Sequence, residues 1–286
     1  EAGVCEICHA PVLVGWPVLL PRRGCRALRR HAPQALTFGA PVSCMSPTLF
    51  SRMKIIPALI EQPLITIVGC VHGDELFGHA IFQYIVDHKE RYPQIQLILA
   101  HEEALAAGKR FLETDLNRSF PGSPTGSLEE RLAYEILPHL KNSRYVLDLH
   151  TTSSVIRMTP IITCLSGVTK EILSVIESPE IAFMQQPLGA HALIGQINTG
   201  VSLEFNEDYA KTEEALAEML KIIHSLQREE VTNSPRMREV FFIDHVIPKT
   251  INLTPAVNNF EYCEEIKGFP FLLHERSYPT IHGLCA

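Results

Sequence analysis

From Met53 onward the apolar positions switch between two periods, one of short runs and one of helical spacing. Leu64-Ile65-Thr66-Ile67-Val68-Gly69 is a short apolar run suited to a strand buried on both faces. Residues 76–88 then carry Leu76, Ala80, Ile81, Tyr84 and Ile85 at helical spacing. Gln96 to Ala100 reads as a further strand. Ser127-Leu128-Glu129-Glu130 has the form of a capping box. The helix it opens places Leu128, Leu132, Ile136 and Leu140 on one stripe, with Pro138 set to kink its end. Tyr145 to Leu149, Pro160 to Cys164 and Ser202 to Phe205 read as strands. Residues 212–228 form an amphipathic helix around Leu216, Met219, Leu220, Ile223 and Leu226.

Strands alternating with helices predict an α/β fold, with a mixed, mainly parallel sheet covered by helices. Ligands in such folds bind outside the carboxyl ends of the strands. Past Glu230 the texture changes. Asn233-Ser234-Pro235 reads as a linker, and short runs broken by Pro248, Pro255, Gly268, Pro270 and Pro279 predict a small C-terminal β-rich region. The expected division is therefore 1–52, 53–230 and 231–286, with the last part contributing to the site.

Residues 1–52 lack either period. They hold six arginines, no lysine, four of the eight cysteines and the one tryptophan, Trp16. This segment reads as a poorly ordered arm, a targeting stretch, or sequence upstream of the natural start. Its Cys5-x-x-Cys8-His9 cluster has no second pair at zinc-finger spacing, so it is read as incidental cysteines. Ala10 to Leu20 is apolar but short, with two prolines and no basic stretch before it, which makes it a poor signal peptide.

Composition narrows the function classes. The net charge of -7 argues against nucleic acid as a partner. No stretch approaches the length of a membrane span. Eight scattered cysteines in a chain of 286 residues point to reduced thiols and a cytoplasmic setting.

The chemistry is concentrated in four short motifs. Val71-His72-Gly73-Asp74-Glu75 puts a histidine and a glutamate three residues apart, and Asp148-Leu149-His150 brings a second histidine at a strand end. Two histidines and a carboxylate form the three-ligand set of a catalytic zinc, which keeps one position open for water. Asp148 lies two residues from His150 on the same strand face, where it can orient the ligand. Asn117 and Arg118, in Asp115-Leu116-Asn117-Arg118-Ser119-Phe120-Pro121-Gly122, can grip a carboxylate through an amide and a forked guanidinium. Arg110 adds a second guanidinium; the plainer reading is a solvated basic loop. Glu204, flanked by apolar residues in a strand, is either a salt-bridged structural carboxylate or a proton shuttle with a raised pKa.

Taken together, these motifs resemble the succinylglutamate desuccinylase/aspartoacylase family, relatives of zinc carboxypeptidases, over roughly residues 60–280. The resemblance implies one zinc per chain held by His72, Glu75 and His150, with Glu204 as general base and acid and Arg110 polarising the scissile carbonyl. It also implies substrate binding by Asn117 and Arg118, and an approaching tyrosine for which Tyr278 is the candidate. The implied activity is hydrolysis of the amide bond in small N-acyl amino acids; no membrane partner is expected, and a homodimer is a possible assembly. A metallocarboxypeptidase acting on short peptides and a non-catalytic metal-binding protein of the same fold are the alternatives. One departure stands out. Aspartoacylases carry a carboxylate-binding arginine about ten residues before the catalytic glutamate, whereas this chain has Gly189-Ala190-His191-Ala192-Leu193-Ile194. His191 is the available substitute, and N-acetylaspartate becomes a doubtful substrate.

Overall fold

The structure is a computed structural model and describes residues 12–13, 52–230 and 238–286. The Cys5-x-x-Cys8-His9 cluster, most of the arginine-rich segment and the Asn233-Ser234-Pro235 linker lie outside the described residues.

In chain order the elements are β1 (Val12–Leu13), β2 (Lys54–Ile56), β3 (Ile65–Gly69), α1 (Leu76–Asp87), β4 (Ile95–Leu99), α2 (Glu102–Ala107), α3 (Leu128–Leu140), β5 (Tyr145–Thr152) and β6 (Met158–Ile162). There follow α4 (Gly167–Ser174), β7 (Glu180–Met184), β8 (Gly200–Asn206), α5 (Glu213–Gln227), β9 (Glu239–Ile243), β10 (His245–Pro248), β11 (Pro270–Phe271) and β12 (Ile281–Cys285). The large sheet has the order β1-β9-β7-β6-β8-β5-β3-β4-β2. Its central pairs β4/β3, β3/β5 and β5/β8 are parallel, as are β6/β7 and β7/β9. The pairs β2/β4, β6/β8 and β1/β9 are antiparallel, so the expected mixed and mainly parallel sheet is present.

Strand alternation explains where the site lies. Tyr145, Leu147 and Leu149 of β5 and Val201, Leu203 and Phe205 of β8 belong to one apolar cluster, packed with α1, α4 and α5. Side chains alternate across a strand. Asp148 and His150, and across from them Ser202 and Glu204, therefore share the opposite face. On that face Val68, Ile98 and Val146 pack with α3 and with the C-terminal residues Phe271, Leu272 and Leu284.

The capping box of α3 is formed, with Ser127 Oγ accepting from Glu130 N and Glu130 Oε2 accepting from Ser127 N (2.7 Å). The stripe Leu128, Leu132, Ile136 and Leu140 is buried, and the helix runs through Pro138 to Leu140. Helix α5 follows the expected pattern too, capped by Thr212. Helix α1 does not. Leu76, expected on the apolar stripe, is 50 % exposed, and Phe77 and Phe82 fill the core in its place. The close approach of α1 to β3 is possible because both contact points are glycine: a Cβ on Gly78 would lie 2.7 Å from Gly69 Cα.

The C-terminal part also differs from expectation. Glu239–Ile243, assigned from sequence to the β-rich region, instead runs parallel to β7 in the large sheet. Among the described residues, β10, β12 and β11 form the separate antiparallel sheet. Phe271 and Leu284 of this sheet are buried in the same apolar cluster as α3, so it packs directly on the body of the protein. Cys70, Cys164, Cys263 and Cys285 are free thiols. Among the described residues no helix is long and apolar enough to cross a membrane.

Candidate active site

The carboxyl ends of β3, β5 and β8 meet at one cavity, of about 280 Å³. The loop after β3 carries His72 and Glu75. It is seated by Gly73, where a Cβ would stand 2.2 Å from the backbone of α2, and by the hydrogen bond from Gly73 N to Arg110 O (3.1 Å). His150 lies near the end of β5. His72 Nδ1 is 2.6 Å from Glu75 Oε1, and His150 Nδ1 is 3.0 Å from Glu75 Oε2. The three residues are buried, and one ligand atom from each lies within 4.8 Å of the others.

Each histidine is held from behind by a second carboxylate: His72 Nε2 lies 3.1 Å from Asp115 Oδ1, and His150 Nε2 lies 3.0 Å from Asp148 Oδ2. This is the arrangement in which a carboxylate fixes the tautomer of a metal-ligating imidazole. It also sets the electrostatics. Burial opposes charge on both rings, but Glu75, Asp115 and Asp148 outweigh it and raise both pKa values, that of His150 well above its usual range. Burial likewise opposes ionisation of Glu75, and the two histidines overcome it, holding its carboxyl well below the ordinary value. Asp148 Oδ1 is buried and has no hydrogen-bond partner among the described residues. The donor set and the carboxylate backing of both imidazoles suit a divalent cation.

Glu204 is register partner to His150 in the parallel pair β5/β8, which places it beside the histidine on the cavity face. Burial pushes its pKa up to about 7, with the charge of His150 opposing the rise. Arg110 lies across the cavity, with NH1 3.0 Å from Glu75 Oε1 and Nε 3.5 Å from Asp115 Oδ2. Asn117 and Arg118 sit on a short 3-10 turn, Leu116–Arg118, that Asp115 caps through Asn117 N (2.8 Å). Asn117 Oδ1 accepts from Leu193 N (3.0 Å), so the amide group left to meet a ligand is its NH2 donor. Tyr278 reaches the same cavity from the loop before β12, and burial raises its pKa to about 12. His72, Glu75, His150, Glu204, Arg110, Asn117, Arg118 and Tyr278 thus line one cavity.

His191 does not. It is exposed and turns Nδ1 to donate to the Phe120 carbonyl (2.9 Å), while its neighbours Ala192 and Ile194 face the cavity. Two further residues shape the site without having been read from sequence. Glu275 lines the cavity and accepts hydrogen bonds from Thr152 Oγ1, Ser153 N (2.8 Å) and Ser277 N (2.9 Å), clamping the Tyr278 loop to the end of β5. Glu129, fully buried on α3, accepts from Leu112 N (2.8 Å), Glu113 N (3.0 Å) and Thr114 N (3.1 Å), and so holds the loop that carries Arg110 and Asp115. A charged residue next to an apolar stripe was the one available signal for Glu129. Glu275 had none.

The fold is thus a mixed α/β sheet with a His-Glu-His group at the carboxyl ends of its parallel strands. Residues 61–229, more than half of the chain, match the succinylglutamate desuccinylase/aspartoacylase catalytic domain, and the chain belongs to that family. Among curated proteins it is 29 % identical over 106 residues to an N-acyl-aromatic-L-amino acid amidohydrolase (carboxylate-forming) of Xenopus tropicalis, covering 32 % of this chain and 34 % of that one. It is 33 % identical over 109 residues to an N-alpha-acetyl-L-2,4-diaminobutyric acid deacetylase of Halomonas elongata, covering 35 % and 32 %. The chain thus spans about a third of the length of the curated relatives it matches. In structure it is similar to murine aminoacylase 3, with a TM-score of 0.63 and 18 % identity over 79 % of this chain and 96 % of that one. The succinylglutamate desuccinylase of Chromobacterium violaceum gives a TM-score of 0.57 and 16 % identity over 79 % and 84 %. These structural likenesses establish the fold.

Proposed function

We propose that this protein is a zinc-dependent hydrolase that cleaves the amide bond of small N-acyl amino acids. The observation that carries the reading is the meeting of His72, Glu75 and His150 with a buried Glu204 of raised pKa in one small cavity. The family membership supports it, as do the names of the two curated relatives, both of which describe removal of an acyl group from an amino acid.

His72, Glu75 and His150 would hold the metal, with Asp115 and Asp148 orienting the two imidazoles. Bound there, a zinc ion supplies Lewis acidity to a water and to the scissile carbonyl. Glu204 is matched to its task, since a base near neutral pKa both takes and returns a proton efficiently. It accepts the proton of the attacking water as the oxygen bonds to the acyl carbon. It then delivers that proton to the leaving nitrogen as the C–N bond breaks. The products are a carboxylate and a free amine. Arg110 donates to the oxygen on which negative charge develops, a contribution that is large in a desolvated site. Asn117 and Arg118 grip the carboxylate of the amino acid. Tyr278 stays protonated at neutral pH and so serves as a hydrogen-bond donor.

The test is the metal content of the purified full chain and of its His150→Ala variant, followed by a panel of N-acyl amino acids and short peptides. About one zinc per chain, lost in the variant, with hydrolysis of the N-acyl amino acids, is expected. No metal bound or taken up would overturn the mechanism. Hydrolysis confined to peptides would favour the carboxypeptidase alternative.

A further inference from the structure

The cavity lining is of two kinds. His72, Glu75 and His150 come from the β3 and β5 side of the sheet, with Glu204 on the adjoining β8. Beyond β8 in the strand order, β6 and β7 contribute Ile161 and Met184, and Leu188, Ile194, Leu272 and Leu284 add to this apolar end from the segment before β8 and the C-terminal region. The cavity's two guanidinium groups are unequally committed. Arg110 is already paired with Glu75 and Asp115, whereas the hydrogen bond that Arg118 makes among the described residues is to a backbone carbonyl, Asn117 O. One arginine is therefore available for one carboxylate. A second carboxylate on the ligand would meet this wall, or else Glu204 and Glu275, without a counter-ion. Burying an unpaired carboxylate is costly, while an apolar branch gains by leaving water for this wall.

The wall is also placed. Leu193 N donates to Asn117 Oδ1 (3.0 Å), so the segment that supplies Ile194 adjoins the carboxylate grip directly. The substituent nearest a carboxylate is the one that shares its carbon. We infer that the apolar end is a side-chain subsite which selects monocarboxylate substrates whose amino acid carries a neutral, apolar side chain, and which rejects dicarboxylates. This inference rests on the proposed function for its substrate but not for its binding preference.

The test has two readouts on the full-length protein. Calorimetry compares binding of the free products L-leucine and L-aspartate, which need no turnover. Kinetics compares kcat/KM for N-acetylleucine, N-acetylaspartate and N-hexanoylaspartate. Leucine is expected to bind roughly ten-fold or more tightly than aspartate, a discrimination of the size apolar pockets achieve. Met184→Arg and Leu188→Arg, both at partly exposed positions that tolerate a longer polar side chain, are expected to shift the preference toward aspartate. Equal or tighter aspartate binding, or an unchanged preference in both folded variants, would overturn the inference. N-hexanoylaspartate as the best substrate would overturn the amine-side placement. If leucine is preferred but no N-acyl amino acid is hydrolysed, the subsite stands and the deacylase reading falls.

Discussion

At the scale of single residues, the site works by opposing burial with charge. Glu75 is kept ionised in the interior because two imidazoles face its two oxygens, and each imidazole is backed by its own aspartate. Glu204 faces the same cavity without a hydrogen-bonded partner of that kind, and burial leaves it poised near neutrality. Glu204→Gln is expected to cut kcat by about 10²- to 10⁴-fold, the usual worth of general acid–base catalysis, while zinc content stays that of the wild type. Asp115→Asn and Asp148→Asn act differently, because they touch the ligands and not the reacting atoms. Each is expected to weaken zinc affinity by about 10- to 100-fold in a chelator competition. Unchanged affinity in both would remove the role given to them.

At the scale of elements, α3 does more than cover the sheet. Its apolar stripe fills the core, and its first turn offers the buried Glu129 carboxylate to three backbone N–H groups of the 112–114 loop. His101, at the start of α2, supports the same carboxylate at 3.2 Å. Burial alone would raise the Glu129 pKa, but these donors outweigh it and lower the value from 4.5. A depressed folded-state pKa means that the stabilisation is present above the unfolded value and is lost as pH falls through the folded one. Glu129→Gln is therefore expected to destabilise by roughly 1.5–3 kcal/mol near neutral pH, the cost of weakening hydrogen bonds to a buried charge. That deficit should shrink in acid, as read by denaturant unfolding at a series of pH values. The same variant should lower kcat/KM, because the loop it holds carries Arg110. A deficit that does not vary with pH would show that the carboxylate charge is not what holds the loop.

At the scale of the whole molecule, the sheet separates support from chemistry. One face packs Leu147, Leu149, Leu203 and Phe205 under α1, α4 and α5; the other carries the polar residues of the site and the small antiparallel sheet. Leu203→Ala, which empties a fully buried position next to Glu204, is expected to cost about 2–5 kcal/mol in unfolding free energy. The C-terminal region completes the cavity, supplying Leu272, Leu284 and Tyr278, with Glu275 as its clamp to β5. Glu275→Ala is expected to lower kcat/KM through loss of the Tyr278 position, with the zinc content retained. An unchanged kcat/KM would show that the clamp is not needed for turnover.

Much of this was legible along the chain, because its signals are local. Short apolar runs and helical patterns are written in neighbouring residues, so β3, α3, β5, β8 and α5 could be read directly. The His72/Glu75 spacing, the Asp148/His150 pair and the Asn117-Arg118 loop carry their chemistry within a few positions. What the sequence left open depends on residues far apart. The register that sets Glu204 against His150 is decided by β5/β8 pairing, and the phase of α1 by the packing of Gly78 on Gly69. The placing of Glu239–Ile243 in the large sheet, the two clamps made by Glu129 and Glu275, and the turning away of His191 are likewise tertiary outcomes. The sequence alone determined which groups exist to do the chemistry. Only the folded chain decided which of them share a cavity, because distance in space, burial and the pKa values that follow arise from contacts that no local pattern encodes.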